Sequence, residues 1–295
     1  MGRTTGASSR ASQAPARSLP ARTLKARPSA APTPAVRRRP SYPPRHHLSL
    51  PGAATVPVPV LEHLVRGLEQ TVNERAIMCL YGDAGCGKTF ALDTVLASGA
   101  VPARRARLIR LLPRPAPTPA ALRAHLADAL NLTDVRTEDP GVFDTALRKA
   151  LAGRDHLLVV DEAQRLDAAC FEYLRYLFDD AGTCLAIVLA AGERGLAVLR
   201  RQKMLASRTA VWLTIPALTP EEVRWVIPRF HPLWETSDPD AVDLLDTRLC
   251  HGNFRRWAQA THHTLRLLRA SGGIADYPVL EDLLGARLLP HQDTR

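Results

Sequence analysis

Acidic residues are missing from the first part of this chain. None precedes Glu62, while Arg3, Arg10, Arg17, Arg22, Lys25, Arg27, Arg37, Arg38, Arg39 and Arg45 supply ten cations. The 295 residues include 39 Lys and Arg against 29 Asp and Glu, a net charge of +10. Setting those ten cations aside leaves 29 basic against 29 acidic residues, so the whole excess sits on the leader and the rest is formally neutral. The net charge is therefore no evidence of a basic folded body. Long apolar runs are also lacking: no segment reaches the ~20 residues of a membrane span, and the leader has no apolar core of a secretory signal. Its Arg-rich, acid-free composition is that of an organellar transit peptide, but no amphipathic stripe accompanies it. The five cysteines, Cys79, Cys86, Cys170, Cys184 and Cys250, are odd in number and contain no CxxC pair. That excludes a zinc-ligand pattern and a disulfide framework, and it points to a reducing cytoplasm.

Residues 1–54 are rich in Ala, Pro, Arg, Ser and Thr and show no apolar periodicity. Such a segment cannot bury enough surface to offset its ordering entropy, so disorder is expected. Either it is a cationic arm that lies along DNA phosphates, or it is a solvated extension or the product of an upstream start codon.

The chain also carries Gly82-Asp83-Ala84-Gly85-Cys86-Gly87-Lys88-Thr89, a phosphate-binding loop. An apolar strand pattern, 76–81, precedes it and a buried-helix pattern, 90–97, follows it. Glycines let backbone N–H groups curl around a phosphate, and the helix N-terminus adds partial positive charge. In such a loop Lys88 reaches the β- and γ-phosphates of ATP and Thr89 places its hydroxyl on Mg²⁺. Cys86 lies within the loop, either as a thiol-sensitive position or as a small residue that fits.

A second segment, His156-Leu157-Leu158-Val159-Val160-Asp161-Glu162-Ala163-Gln164, is an apolar strand ending in two carboxylates. Asp161 at the strand end suits the metal, through water, and Glu162 suits the base that deprotonates an attacking water. Two carboxylates argue for hydrolysis of ATP rather than passive binding.

Strands are expected at 107–112, 156–160, 184–189 and 210–215 besides the first, alternating with helices at 58–73, 119–130, 142–151 and 168–179. Thr118-Pro119 reads as an N-cap with proline at the first helical position. Phe171, Tyr173, Leu174, Tyr176 and Leu177 read as core. The expected fold class is α/β, a parallel five-stranded sheet with helices on both faces. Helices alone follow, at 220–227, 239–249 and 253–268. The expected organisation is a leader 1–54, an α/β core 55–216, a helical lid 217–289 and a tail 290–295. The pairs His46-His47 and His262-His263 give no metal pattern; helix neighbours such as the second pair point apart.

This arrangement resembles the AAA+ ATPases over residues 55–285. Tyr81 to Thr89, Val160-Asp161-Glu162-Ala163-Gln164 and Leu218-Thr219-Pro220-Glu221-Glu222 look like the branch of transposition helper ATPases, with the TniB-type and phage Mu B proteins. The ExeA-type secretion ATPases look similar too. The resemblance implies that Arg255, in His251-Gly252-Asn253-Phe254-Arg255-Arg256, senses the γ-phosphate from the lid. It implies that Arg208, with Arg200 and Arg201 as rivals, is an arginine finger entering a neighbouring subunit's site, an effect worth about 10³–10⁵ in rate. The strand ending Ala190-Ala191-Gly192 departs from the pattern, because the Asn, Ser or Thr that usually ends it is missing. A slow ATPase is therefore expected, with another side chain orienting the water. The implied function is an ATP-bound homo-oligomer that coats double-stranded DNA and recruits or activates a transposase. The alternatives are a secretion-associated ATPase and a regulatory switch that binds a protein partner without DNA.

Overall fold

The computed structural model describes residues 47–99, 106–132 and 139–271, and the expectations for residues 1–46 and 272–295 lie outside them. Five parallel strands form one sheet: β1 (Ile77–Tyr81), β2 (Arg107–Leu111), β3 (His156–Val160), β4 (Leu185–Ala191) and β5 (Thr209–Thr214). Their spatial order is β2-β3-β4-β1-β5. Every residue of β3 and β4 is buried, which is why both read as continuous apolar runs rather than alternating ones. At the edge, β2 alternates: Ile109 and Leu111 are buried while Leu108 and Arg110 are exposed.

Helices cover both faces. α1 (Pro59–Asn73) and α2 (Lys88–Ser98) place Leu64, Leu68, Leu92 and Val95 against Met78, Leu80 and Val188. On the opposite face, α3 (Pro119–Leu130), α4 (Pro140–Leu151) and α5 (Ala168–Asp179) place Leu126, Phe143 and Phe171 against Ile77, Cys79 and Leu158. The two-residue period of the strand divides β1 between these clusters. Thr118 starts α3 by accepting from Ala121 N at 3.2 Å, ahead of Pro119. Asp139 and Asp167 cap α4 and α5 in the same way. In α5, Phe171, Tyr173, Leu174 and Leu177 are buried as expected, but Tyr176 is not. It faces outward beneath the Arg148 guanidinium, 5.7 Å from its ring centre.

Two short helices between β4 and β5 have no counterpart among the sequence-based expectations: α6 (Glu193–Arg201) and α7 (Lys203–Ala206). Beyond β5 come α8 (Pro220–Phe230), α9 (Pro232–Glu235), α10 (Pro239–Leu245) and α11 (Phe254–Ser271). α8 runs past Pro228, because burial of Val226, Ile227 and Phe230 holds its last turn. The expected helix at 239–249 ends early, in a π turn over Asp246–Cys250. Asp246 is buried and its Oδ1 accepts from Gly252 N at 2.7 Å and from Trp257 Nε1 at 3.0 Å. Gly252 sits at φ +68, and a Cβ there would lie 2.1 Å from Leu218 O, so the turn admits no side chain. Trp257 meets Trp234 edge to face at 5.4 Å. The His262 and His263 rings lie 5.6 Å apart rather than pointing away, although no cluster of metal-ligating residues exists among the described residues.

Residues 47–54 depart from the disorder expected of the leader. Leu50 is buried with Phe230 and Ala258, Ala54 N donates to Phe230 O at 2.8 Å, and His231 Nε2 lies 2.9 Å from Pro51 O. One leucine anchored on a distant helix leaves no periodic signal. No helix among the described residues is long and apolar enough to cross a membrane.

His156 opens β3 with both ring nitrogens buried and without a hydrogen-bond partner among the described residues. Burial first, then the cations Arg154 and Arg107, hold its pKa below the ordinary 6.5. A histidine whose folded pKa is depressed contributes stability above its unfolded pKa, and that stability fades as pH falls below about 6.5 and through the folded value. Thermal unfolding followed from neutral to mildly acidic pH should therefore show a drop in Tm that is smaller in His156→Leu than in the parent.

Candidate functional site

The strand order puts β1 between β4 and β5, while β1 is followed in sequence by β2 on the far side of β3. Connections thus diverge beside β1, and the crevice at the strands' C-terminal ends is where ligands bind in open α/β sheets. Gly82–Thr89 closes β1 and opens α2, Asp161 follows β3, and Gly192 follows β4. These three strand ends meet at a cavity of 660 Å³. Its polar lining comes from the loop with Glu162, Gln164, Arg194 and Arg255, and its apolar lining includes Val56, Val58, Leu61, Ile215, Leu218 and Phe230.

The phosphate loop has the backbone its glycines permit. Gly85 lies at φ +88, and a Cβ there would approach Asn253 Oδ1 to 2.4 Å. No side chain caps the start of α2, a helix N-terminus of the kind that suits an anion. Lys88 Nζ donates to Gly82 O and Asp83 O, each at 2.8 Å. Burial lowers its pKa, opposed by Cys86, Glu162, Asp161 and Asp83. Thr89 Oγ1 donates to Asp161 Oδ2 at 2.8 Å, and Asp161 Oδ1 accepts from Glu162 N at 2.9 Å. Cys86 is buried in the core, and burial with Asp83 raises its thiol pKa, as befits a residue that fits the loop.

Glu162 stands at φ +55, a left-handed conformation that is costly for a residue with a Cβ. Its Oε2 accepts from Gln164 Nε2 at 2.5 Å, and Gln164 Oε1 accepts from Gly192 N at 3.2 Å. Gln164 thus links the Glu162 carboxylate to the β4 end where the sequence lacks a polar residue. Sequence alone assigns it no role, because its partner on β4 is 28 residues away.

Asn253 belongs to the lid motif without a role assigned from sequence, yet it joins two parts of the site. Its Oδ1 accepts from Arg255 N at 3.1 Å and Arg256 N at 3.3 Å, capping α11. Its Nδ2 donates to Ala84 O in the phosphate loop at 2.8 Å, and Arg255 N also lies 3.1 Å from Gly85 O. The signal in the sequence is an N-cap residue directly before a helix. Arg255 itself is exposed and lines the cavity beside the loop.

Arg208 does not line this cavity. It grips Asp179 through Nε at 2.5 Å and Nη2 at 2.8 Å, and its Nη1 donates to Met204 O at 2.6 Å. Arg208 above all, with Arg175 adding and burial opposing, holds the Asp179 carboxyl below its usual range. Arg200 lies over the Trp212 ring at 5.7 Å, and Arg201 is exposed.

The two functions of Asn253 separate by substitution. Asn253→Ala removes the cap and the clamp together and should cost about 1 kcal/mol of stability or slightly more. Asn253→Ser restores a capping oxygen but cannot reach Ala84 O as a donor. Its Tm should recover while nucleotide affinity, measured by fluorescence titration, stays below the parent's.

Comparison with known proteins agrees with this geometry. Residues 71–199 match the family model described as an AAA domain. The ORC2 protein of Aeropyrum pernix, in ADPNP–ADP complexes, is similar at 17% identity and a TM-score of 0.57, covering 77% of this chain and 66% of that one. Cdc6p from Pyrobaculum aerophilum gives 15% identity and a TM-score of 0.62 over 76% of this chain and 65% of that one. Drosophila ORC bound to DNA gives 16% and 0.62 over 90% and 71%. The chain thus spans just under two thirds of the first of these structures. No curated protein matches the sequence. The phosphate loop, the order of the five strands and these likenesses together give the described chain the α/β P-loop fold of the AAA+ ATPases.

Proposed function

We propose that this chain is an ATP hydrolase that works as a nucleotide-controlled switch on DNA, assembling with ATP and recruiting or activating a transposase. The observation that carries the ATPase part is that Lys88, Thr89 and Glu162 line one cavity, with Asp161 bonded to Thr89 beside it. The loop amides and Lys88 bind the β- and γ-phosphates, Lys88 exchanging its two loop carbonyls for phosphate oxygens. Thr89 and Asp161 present hard oxygen donors side by side, with the hydroxyl 2.8 Å from the carboxylate, a donor pair that suits Mg²⁺. When bound, that ion neutralises charge on the phosphates. Glu162 takes a proton from water as the water oxygen bonds to the γ-phosphorus and the bond to the ADP oxygen breaks. Gln164 orients Glu162 and supplies the polar group that the β4 end lacks. Arg255 reads the γ-phosphate from the head of α11. Arg208 acts as a finger in a neighbouring subunit only after it leaves Asp179, so hydrolysis by an isolated chain is slow.

The DNA part is supported by the transposition-helper resemblance of the three motifs, by the ten cations before Glu62 and by the likeness to ORC, one structure of which is bound to DNA. The balance of 29 basic and 29 acidic residues in the remainder favours the second reading, a switch that binds a protein partner and no DNA.

Lys88→Ala should abolish ATP binding. Glu162→Gln should bind ATP with near-parent affinity and turn it over about 10²–10⁴-fold more slowly. ATPase assays and light scattering with and without duplex DNA check the whole reading. ATP-dependent assembly on DNA supports it, and turnover and assembly indifferent to DNA would move the assignment to the protein-partner switch.

A further inference from the structure

Ion pairing is uneven across the described residues. Arg75, Arg110, Arg148, Arg175, Arg208 and Arg224 each face a carboxylate. α11 differs. Its 18 residues contain no Asp or Glu. Among the described residues, Arg255, Arg256, Arg266 and Arg269 take part in none of these salt bridges, as is also true of Arg66, Arg154 and several arginines elsewhere.

The cations are also in line. Arg255, Gln259, His262, Arg266 and Arg269 recur at steps of four, three, four and three, which at 100° per residue confines them to a stripe about 80° wide. Arg255, Arg266 and Arg269 are exposed, and Gln259 and His262 partly so. The opposite side of α11 is occupied: Trp257, Ala260, Thr261 and Thr264 are buried. The local field is positive as well. Burial, then His262 and Arg266, lower the pKa of His263, with no carboxylate among the influences.

We propose that this stripe of α11 is a phosphate track for duplex DNA, leading outward from the nucleotide cavity at Arg255. The inference rests on the reading of the chain as a DNA-associated ATPase and names the surface involved. Fourteen helical rises of 1.5 Å give a track about 21 Å long, enough for about six base-pair steps of 3.4 Å. A membrane surface fits less well, because an interfacial helix inserts its apolar side and that side of α11 is already packed in the protein. On the track, the neutralising partners that an acid-free helix lacks in its own sequence would come from the nucleic acid. Because α11 begins at Asn253 and Arg255, DNA on the track touches the same helix that holds the phosphate loop.

Binding of the full-length protein to a duplex across a salt series, by fluorescence anisotropy with an unhydrolysable ATP analogue, tests this. Arg266→Gln with Arg269→Gln should make the slope of log K against log salt shallower by about 2, because each phosphate that a cation neutralises adds about 0.9 to it. A control pair, Arg66→Gln with Arg154→Gln, removes the same charge from exposed positions elsewhere and should leave the slope unchanged. Both pairs should keep the DNA-independent ATPase rate and the parent's Tm. An unchanged slope in the α11 pair, or an equal flattening in both pairs, overturns the track while the DNA-associated reading stands. Absence of any duplex binding by the parent overturns both. If the α11 pair instead abolishes binding to phosphatidylserine vesicles and leaves duplex binding intact, the face belongs to a membrane and the track is overturned.

Discussion

The Asn253 amide uses both of its polar atoms at once, and the nucleotide site depends on that. Its oxygen caps α11 and its nitrogen holds the Ala84 carbonyl, 169 residues away in sequence. The loop cannot tighten around a phosphate without pulling on that bond, and α11 cannot tilt without releasing it. Gly85 makes the approach possible, since any side chain there would meet Asn253 or the Cβ of Arg255. Gly252 does the same one residue earlier by letting the turn lie on Leu218, while the buried Asp246 carboxylate pins both that turn and Trp257. A chain of close approaches therefore runs from the phosphate loop into the core of the helical segment.

The Glu162 side of the cavity shows a comparable economy of groups. β4 ends in Ala191 and Gly192, which offer a backbone N–H but no polar side chain. Gln164 reaches across from the β3 side and joins that N–H to the Glu162 carboxylate, beside the left-handed backbone at Glu162. In the proposed mechanism the general base, Glu162, is held through Gln164, and the arginine finger candidate, Arg208, is tied to Asp179. Both features favour a switch that changes state slowly over a motor that cycles quickly.

The sheet was legible in the sequence because each buried parallel strand leaves an apolar run, and α3 because Thr118 and Pro119 mark where it begins; α4 begins two residues before the expected 142, at the Asp139 cap. α6 was not legible: it starts directly off β4, and its interior Gly195 is needed where a Cβ would lie 2.4 Å from that of Ala191. The four-residue helices α7 and α9 are too short to show a period. Lys88, Thr89, Asp161 and Glu162 were legible because their spacing is local to one loop or one strand end. Gln164, Asn253 and the Arg208–Asp179 pair were not, because each acts through a partner that only folding brings near. Burial of Leu50 belongs to the same class, since it rests on Phe230 and Ala258.

Nucleotide binding and the position of α11 are on this view one event, coupled through Asn253. Hydrogen exchange of the full chain, followed by mass spectrometry with and without an unhydrolysable ATP analogue and Mg²⁺, tests that coupling most directly. Amides of the phosphate loop, 82–89, and of the first turn of α11, 254–257, should gain protection together, and Asn253→Ser should uncouple them. Protection of the loop alone in the parent protein, with α11 unchanged, would contradict the coupling.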